Sequence, residues 1–378
     1  MDLKAKVLKL HAKYGGKLAT YVTTPVRTIS DLSLVYTPGV AEASKEISKD
    51  KNKVYDYTIK GHTVAVVSDG SAVLGLGNIG PEAALPVMEG KAVLFKTFAN
   101  LDAFPICLAT QDPKEIIQIV KSLVPSFGGI NLEDISAPRC FEIEEALQNL
   151  GIPVMHDDQH GSAIVVLAGL MNSAKVVGKK LGELKVVILG AGAAGTGIAS
   201  LLAGKVLDVL SVDSKGIISP GRHDLNKYKL RLASITNKKG IKGSLQDALK
   251  GANVFVGVSK GNLLKAADIK LMSERPIIFA LANPIPEIMP REAKDAGAYI
   301  VATGRSDFPN QINNSLAFPG IFKGALQVKA KRITEKMKVG AAYALASLIK
   351  NPTRDKIIPG PFDKRVVDTV ARAIIRAA

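Results

Sequence analysis

Two cysteines in 378 residues, Cys107 and Cys140, stand alone with no C-x-x-C pair, so neither a disulfide framework nor a cysteine-ligated zinc centre is encoded. Histidine is almost as scarce: there are five, none at zinc-like spacing. Long apolar runs are missing too. The longest, such as Ala163 to Met171, has fewer than ten residues, too few to cross a bilayer. The first seventeen residues set Leu3, Val7, Leu8 and Leu10 among basic side chains, an amphipathic helix pattern without a secretory core. These absences predict a protein of the reducing cytoplasm with no membrane partner. No repeat or low-complexity stretch interrupts the chain, and 47% hydrophobic residues suffice for two full cores.

The net charge of +16 is uneven: residues 1–160 hold 16 basic and 19 acidic side chains, residues 161–378 hold 34 and 15. A basic second half is the one feature that favours a nucleic-acid-binding protein. Its cations are scattered among apolar residues, however, with no helix-turn-helix, zinc-finger or aromatic RNA-binding signature. They read as solvated surface plus attraction for phosphorylated cofactors, and no nucleic-acid partner is expected.

Short β-branched runs alternate with helical segments, the pattern of an α/β protein. Val64 to Val67 is predicted as a strand and Pro81 to Glu89 as a helix opened by proline and stopped by Gly90. Ala92 to Phe95 is predicted as a strand and Pro113 to Leu123 as a helix. A helix from Ser162 towards Val177 crosses into a second half. There Lys185 to Leu189 and the runs at 206–212, 254–258, 277–282 and 299–302 supply a doubly wound sheet. The division falls near residue 160, giving domains 1–160 and 161–378, with terminal helices packing back on the body.

Glu133 and Asp134 are adjacent, and His156-Asp157-Asp158-Gln159-His160-Gly161 adds carboxylates shortly before a glycine-rich loop. Several carboxylates in an apolar setting cost several kcal/mol unless a cation neutralises them, and oxygen-only ligands favour Mg²⁺ or Mn²⁺. The plainer alternative is that both pairs merely cap helices.

Lys185 to Leu189 runs into Gly190-Ala-Gly192-Ala193-Ala194-Gly195 and then a helix, the context in which this glycine spacing lets a backbone approach a pyrophosphate. Asp213, eighteen residues after Gly195, is placed to accept from the adenosine ribose hydroxyls. It leans the cofactor towards NAD, although Ser214, Lys215 and Arg222 keep NADP open. A second glycine match, Gly75-Leu-Gly77-Asn-Ile-Gly80, is separated from the Asp69-Gly70 turn only by residues 71–74 and reads as a loop lining a cleft.

The chain resembles the short bacterial and archaeal type of malic enzyme over nearly its whole length. The likeness rests on Leu34-Val-Tyr36-Thr-Pro-Gly, Ser68-Asp-Gly-Ser-Ala-Val-Leu-Gly-Leu-Gly-Asn-Ile-Gly80, Glu89-Gly-Lys91-Ala, Asn131-Leu-Glu-Asp-Ile, His156 to Gly161, Ala282-Asn-Pro284 and Asn313-Asn-Ser-Leu-Ala-Phe-Pro-Gly320. It implies an N-terminal α/β substrate domain and a C-terminal Rossmann-type domain, acting on L-malate with metal and NAD or NADP to give pyruvate and CO₂. It further implies a homodimer or higher homo-oligomer. By resemblance the metal ligands are Glu133, Asp134 and Asp158, with Asp157 orienting the site. Lys91, just before the predicted strand, would be the general base with a lowered pKa, Lys96 being the second choice, and Tyr36 the proton donor to C3. Asn283 resembles a ligand of both substrate and nicotinamide, and Asn313 and Asn314 resemble substrate ligands. Ala72 stands where larger relatives carry a substrate-binding arginine.

Overall fold

A computed structural model describes residues 2–73 and 75–378. The chain opens with four helices, α1 (Leu3–Tyr14), α2 (Ile29–Val35), α3 (Val40–Lys49) and α4 (Val54–Tyr57). α1 stops at Gly15, whose φ of 61° lets its N–H return to the His11 carbonyl; α2 starts at Thr28 in a reciprocal cap with Asp31. None of α1, α2 or α3 buries a residue. Side chains that would normally seek a core, including Leu3, Val22, Ile29 and Leu34, are largely exposed.

A first sheet follows, wound from β1 (Thr63–Ser68), α5 (Pro81–Leu94), β2 (Asp102–Cys107), α6 (Pro113–Leu123), β3 (Gly129–Leu132), α7 (Arg139–Leu147) and β4 (Val154–His156). Its strands are all parallel in the order β2-β1-β3-β4. Every residue of β1 is buried, as a strand covered on both faces requires. The strand expected at Ala92 to Phe95 does not exist, and Gly90 does not stop a helix. α5 runs through Gly90 to Leu94 and widens into a π-helical turn, Phe95–Ala99. The reason is packing: Met88, Ala92 and Phe95 recur at helical spacing and are all buried, which outweighs the β preference of Val93 and Phe95 and the weakness of an interior glycine.

The second sheet is introduced by α8 (Asp157–Val177) and built from β5 (Lys185–Leu189), α9 (Ala193–Leu202), β6 (Asp208–Asp213), β7 (Gly216–Ile217), α10 (Lys227–Ile235), α11 (Leu245–Leu249), β8 (Val254–Gly257), α12 (Ala266–Ile269), β9 (Ile277–Ala280), α13 (Pro290–Asp295) and β10 (Ile300–Thr303). The order is β10-β9-β8-β5-β6-β7, parallel but for the edge hairpin β6–β7. All five strands predicted for this half are present. Three helices, α14 (Phe318–Gln327), α15 (Glu335–Ser347) and α16 (Arg365–Ala377), complete the chain and pack against one another and α8.

In each sheet the winding reverses beside its first strand: β1 lies between β2 and β3, and β5 between β6 and β8. The crevice at the carboxyl ends of such strands is where ligands bind in open α/β sheets. α8 joins the two halves. It is apolar nearly all round, long and apolar enough by composition to cross a membrane, yet 72% of its most apolar window is buried inside the molecule. One hydrophobic cluster runs from Val64, Val66 and Met88 through α8 to Val186, Ile188 and Phe279, so the halves share a core. Residue 160 falls in the first turns of α8 rather than in a linker.

Candidate active site

β3 delivers Glu133 and Asp134, and the junction of β4 with α8 delivers Asp157 and Asp158. Successive strand residues point to opposite faces, so adjacent carboxylates would normally diverge. Asp134 breaks the alternation with φ 54°, in the left-handed region that Asp tolerates better than most residues. Its backbone N–H donates to Asp158 Oδ2 at 2.9 Å, which holds the β3 and β4 termini together. Glu133, Asp134 and Asp158 each offer an oxygen within 4.8 Å of the others, the ligand set the resemblance implied. Two residues before Glu133, on the same side of the strand, Asn131 donates to Glu133 Oε2 at 2.9 Å.

Lys91 comes to this cluster from α5, not from a strand edge. Its Nζ is 2.7 Å from both Glu133 Oε1 and Asp157 Oδ2, and it lies 4.4 Å from the centre of the Phe318 ring. Burial alone would depress the ammonium, but Asp157, Glu133 and Asp158 outweigh burial and hold it above its ordinary value. Burial pushes Asp157 up to about 6 and raises Glu133 too, each opposed by Lys91. Among the described residues Lys91 pairs with Glu133 and Asp157, and the donors gathered from Glu133, Asp134 and Asp158 are all oxygen. A hard divalent cation fits that donor set. Lys96, the second choice for a base, is 39% exposed and tied to Asp102 at 2.8 Å, outside this cluster.

Around this centre the structure sorts the remaining expectations. Asn314 sits over the first turns of α8: a Cβ built on Gly161 would lie 1.9 Å from Asp157 Oδ1 and 3.0 Å from Asn314 Cβ. Asn313 is instead a cap, accepting from Ser315 N–H at 2.9 Å and donating to the Gly304 carbonyl at 3.4 Å. Asn283 follows β9 at the carboxyl edge, with its Nδ2 2.9 Å from where a Gly304 Cβ would be. The loop Gly75 to Gly80 meets the second half at Asn283 and Pro284. Gly75 presses on Asn283, since an added Cβ would fall 2.1 Å from the Asn283 carbonyl oxygen, and so the loop joins the two halves. Leu74, also in that segment, lies outside the described residues. Tyr36 follows α2 as its C-terminal cap on the exposed arm and is 67% accessible.

At the cofactor loop, β5 ends at Gly190, whose φ of 116° and contact with Val258 admit no side chain. Gly195 packs against the Gly190 carbonyl, and Gly192, Ala193 and Ala194 open α9, whose free N–H groups suit a pyrophosphate. Gly197 allows α9 to approach Gln159, the neighbour of Asp158, so the cofactor helix abuts the metal-ligand turn. Asp213 ends β6 as expected but is not open: Lys215, Arg222 and Lys229 all donate to it.

Several supporting residues had no sequence signal strong enough to name them. Glu144 on α7 accepts from the His156 N–H at 3.0 Å and pairs with His160 Nε2 at 2.9 Å, while Lys338 of α15 reaches His160 Nδ1 at 3.0 Å. Burial lowers the His160 pKa and Glu144 opposes that; a ring that donates from Nε2 to Glu144 leaves Nδ1 to accept from Lys338. Glu287 is fully buried and receives the N–H groups of Ser259 and Ala282, at 2.9 and 3.1 Å, tying the β8 and β9 end loops beside Asn283. Only Asn131 was findable, from its i, i+2 relation to Glu133.

Residues 15–148 match the family described as malic enzyme, N-terminal domain, and residues 159–378 match malic enzyme, NAD binding domain. A bifunctional malic/malolactic enzyme of Bacillus subtilis is 56% identical, the alignment covering 100% of this chain and 93% of that one. An NADP-dependent malic enzyme of Halomonas elongata is 47% identical over 98% of this chain and 92% of its own. The crystal structure of the NAD-dependent malic enzyme from Thermotoga maritima superposes with a TM-score of 0.95 at 52% identity, covering 99% of each chain.

Proposed function

The chain belongs to the malic enzyme family, and from that premise we propose how its residues divide the work of NAD- or NADP-dependent oxidative decarboxylation of malate to pyruvate and CO₂. The observation that carries the reading is Lys91 Nζ at 2.7 Å from Glu133 and Asp157, beside a three-carboxylate oxygen cluster and next to a dinucleotide loop.

Glu133, Asp134 and Asp158 would hold Mg²⁺ or Mn²⁺. When bound, that ion would polarise the C2 oxygen and offset the charge left by CO₂, and a bound nicotinamide would supply the acceptor for the C2 hydride. With Glu133 engaged as a metal ligand, Lys91 would keep only Asp157 as a close carboxylate partner, and its neutral amine would be favoured. Lys91 then removes the C2 hydroxyl proton as hydride leaves, and Asp157 keeps the amine aimed. Asn283 and Asn314 bind the polar ends of substrate and nicotinamide, and Asn313 shapes the turn that presents Asn314. Phe318 covers Lys91 and excludes water.

Tyr36 protonates C3, and we propose that it does so in the site of a second copy of the chain. Supporting this, residues 2–50 form an arm without a buried helix residue. Lys17 anchors it to α5 through the Glu89 carboxylate and the Pro86 carbonyl, at 3.1 and 2.7 Å. A homodimer covers that apolar arm and brings Tyr36 to the partner's Lys91. The protein acts in the cytoplasm, where its two unpaired cysteines suit a reducing milieu.

Mixing separates the alternatives. Lys91→Met and Tyr36→Phe proteins should each lose pyruvate formation; after exchange of subunits the mixture should regain about a quarter of wild-type activity, because half the dimers hold one intact site. No recovery despite proven exchange places Tyr36 in its own chain's site. Activity unaffected by chelator would remove the metal from the reading.

A further inference from the structure

Asp213 stands where dinucleotide clefts commonly present a carboxylate to the adenosine ribose. Here that carboxylate is fully engaged. Its Oδ1 accepts from the Lys215 N–H at 2.9 Å and from Arg222 Nη1 at 3.0 Å. Its Oδ2 accepts from Arg222 Nη2 at 3.2 Å and Lys229 Nζ at 2.6 Å. A carboxylate has roughly four acceptor positions, so no lone pair is left for a ribose hydroxyl. The side chain is also only 7% exposed.

Arg222 is equally occupied. Its Nε and Nη2 reach Asp224 at 3.0 and 2.8 Å, and Nη1 also reaches the carbonyls of Gly216 and Ile217 at 3.1 and 3.3 Å. Asp213, Asp224, Arg222 and Lys229 therefore close into a neutral group of two anions and two cations. Outside that group, Ser214, Lys215 and Lys242 line a cavity of about 700 Å³ at the end of β6. Lys215 is 68% exposed with a loose 3.3 Å approach to Asp224, and Lys242 forms no ion pair among the described residues. The charge facing the ribose edge is thus positive.

We propose that this end of the cleft accepts a 2′-phosphorylated ribose, bound by Ser214, Lys215 and Lys242, and that the enzyme uses NADP at least as well as NAD. Asp213 is then a positioning residue for Arg222 and the wall behind it, not a reader of ribose hydroxyls. A free aspartate would repel the phosphate, whereas one neutralised by two cations does not. The proposed preference runs opposite to the lean towards NAD read from the sequence. The inference rests on Gly190 to Gly195 being the dinucleotide loop.

The test is the ratio of kcat/KM for NADP to that for NAD, with malate and Mn²⁺ saturating, together with calorimetric binding of adenosine 2′-phosphate and adenosine 5′-phosphate to the enzyme. The wild-type ratio should be one or more and should fall at least about tenfold when Lys215→Ala and Lys242→Ala are combined, NADP losing far more than NAD. Adenosine 2′-phosphate should bind the more tightly, an advantage the double variant loses. Arg222→Leu, which unblocks Asp213, should move the ratio towards NAD. A wild-type ratio below one, or a ratio the double variant leaves unmoved, overturns the proposal. Saturation by neither dinucleotide would instead overturn the assignment of the loop.

Discussion

Removing the Lys91 ammonium tests the site most directly, because two buried carboxylates depend on it. Each 2.7 Å contact corresponds to about 6 kcal/mol of attraction at an effective dielectric of 20, most of it offset by desolvation. Glu133 and Asp157 are 4% and 0% exposed, so they belong with buried pairs, where stripping one partner costs about 3–5 kcal/mol. Lys91→Met should lose about that much unfolding free energy in chelator, and roughly half as much in Mn²⁺, which compensates Glu133 but leaves Asp157 alone. Its malate oxidation should fall by about 10²–10⁴. Lys91→Arg separates charge from proton transfer: it keeps the cation but cannot give up its proton. It should recover most of the stability and none of the turnover. Urea unfolding followed by circular dichroism and malate-dependent NAD(P)H formation supply the two readouts. Lys91→Met matching wild-type stability in chelator, or Lys91→Arg turning over within tenfold of wild type, would refute the reasoning.

Glu144 has its pKa lowered to about 2: burial opposes ionisation, but His160, Lys338 and His156 outweigh it. A depressed carboxylate pKa gives stability that is fully present above the unfolded value of about 4.5 and is lost as pH falls towards 2, about 3 kcal/mol in all. Glu144→Gln should therefore be less stable than wild type at pH 7 and converge with it below pH 3; a constant gap across that range would exclude the titration. Gly90→Ala should raise unfolding free energy by about 0.4–1 kcal/mol, since Gly90 is helical and a Cβ there meets nothing within 4 Å. A loss of stability would mean that α5 needs glycine for a contact with the arm or a second copy. Tyr36→Phe should retain more oxaloacetate reduction than pyruvate formation, because its hydroxyl serves only protonation at C3; equal losses in both reactions would withdraw that role.

Local pattern and spacing carried much of this molecule. The strand into Gly190-Ala-Gly192 and the apolar runs of the second half needed only periodicity and glycine chemistry, because buried parallel strands read as continuous β-branched segments. The metal-ligand set, by contrast, rested on resemblance: residue types alone left Asp157 and Asp158 interchangeable. The structure separates them, turning Asp157 to Lys91 and Asp158 to the Asp134 N–H. Where the reading went astray, at Gly90 to Phe95, local propensity met a buried helical stripe that only the opposing core could reveal.

Charge balance lay furthest from view. A pKa depends on what lies a few ångströms away, and Glu133 is 42 residues from Lys91, so no spacing rule could show that two carboxylates hold that ammonium. The same holds for Asp213, whose sequence neighbours suggest an open acid and whose real surroundings include Lys229 from the next helix. Which side chains exist, and which backbone can turn at a glycine, is written along the chain. Which charges neutralise one another is decided by folding, because electrostatic partners are selected by distance in space.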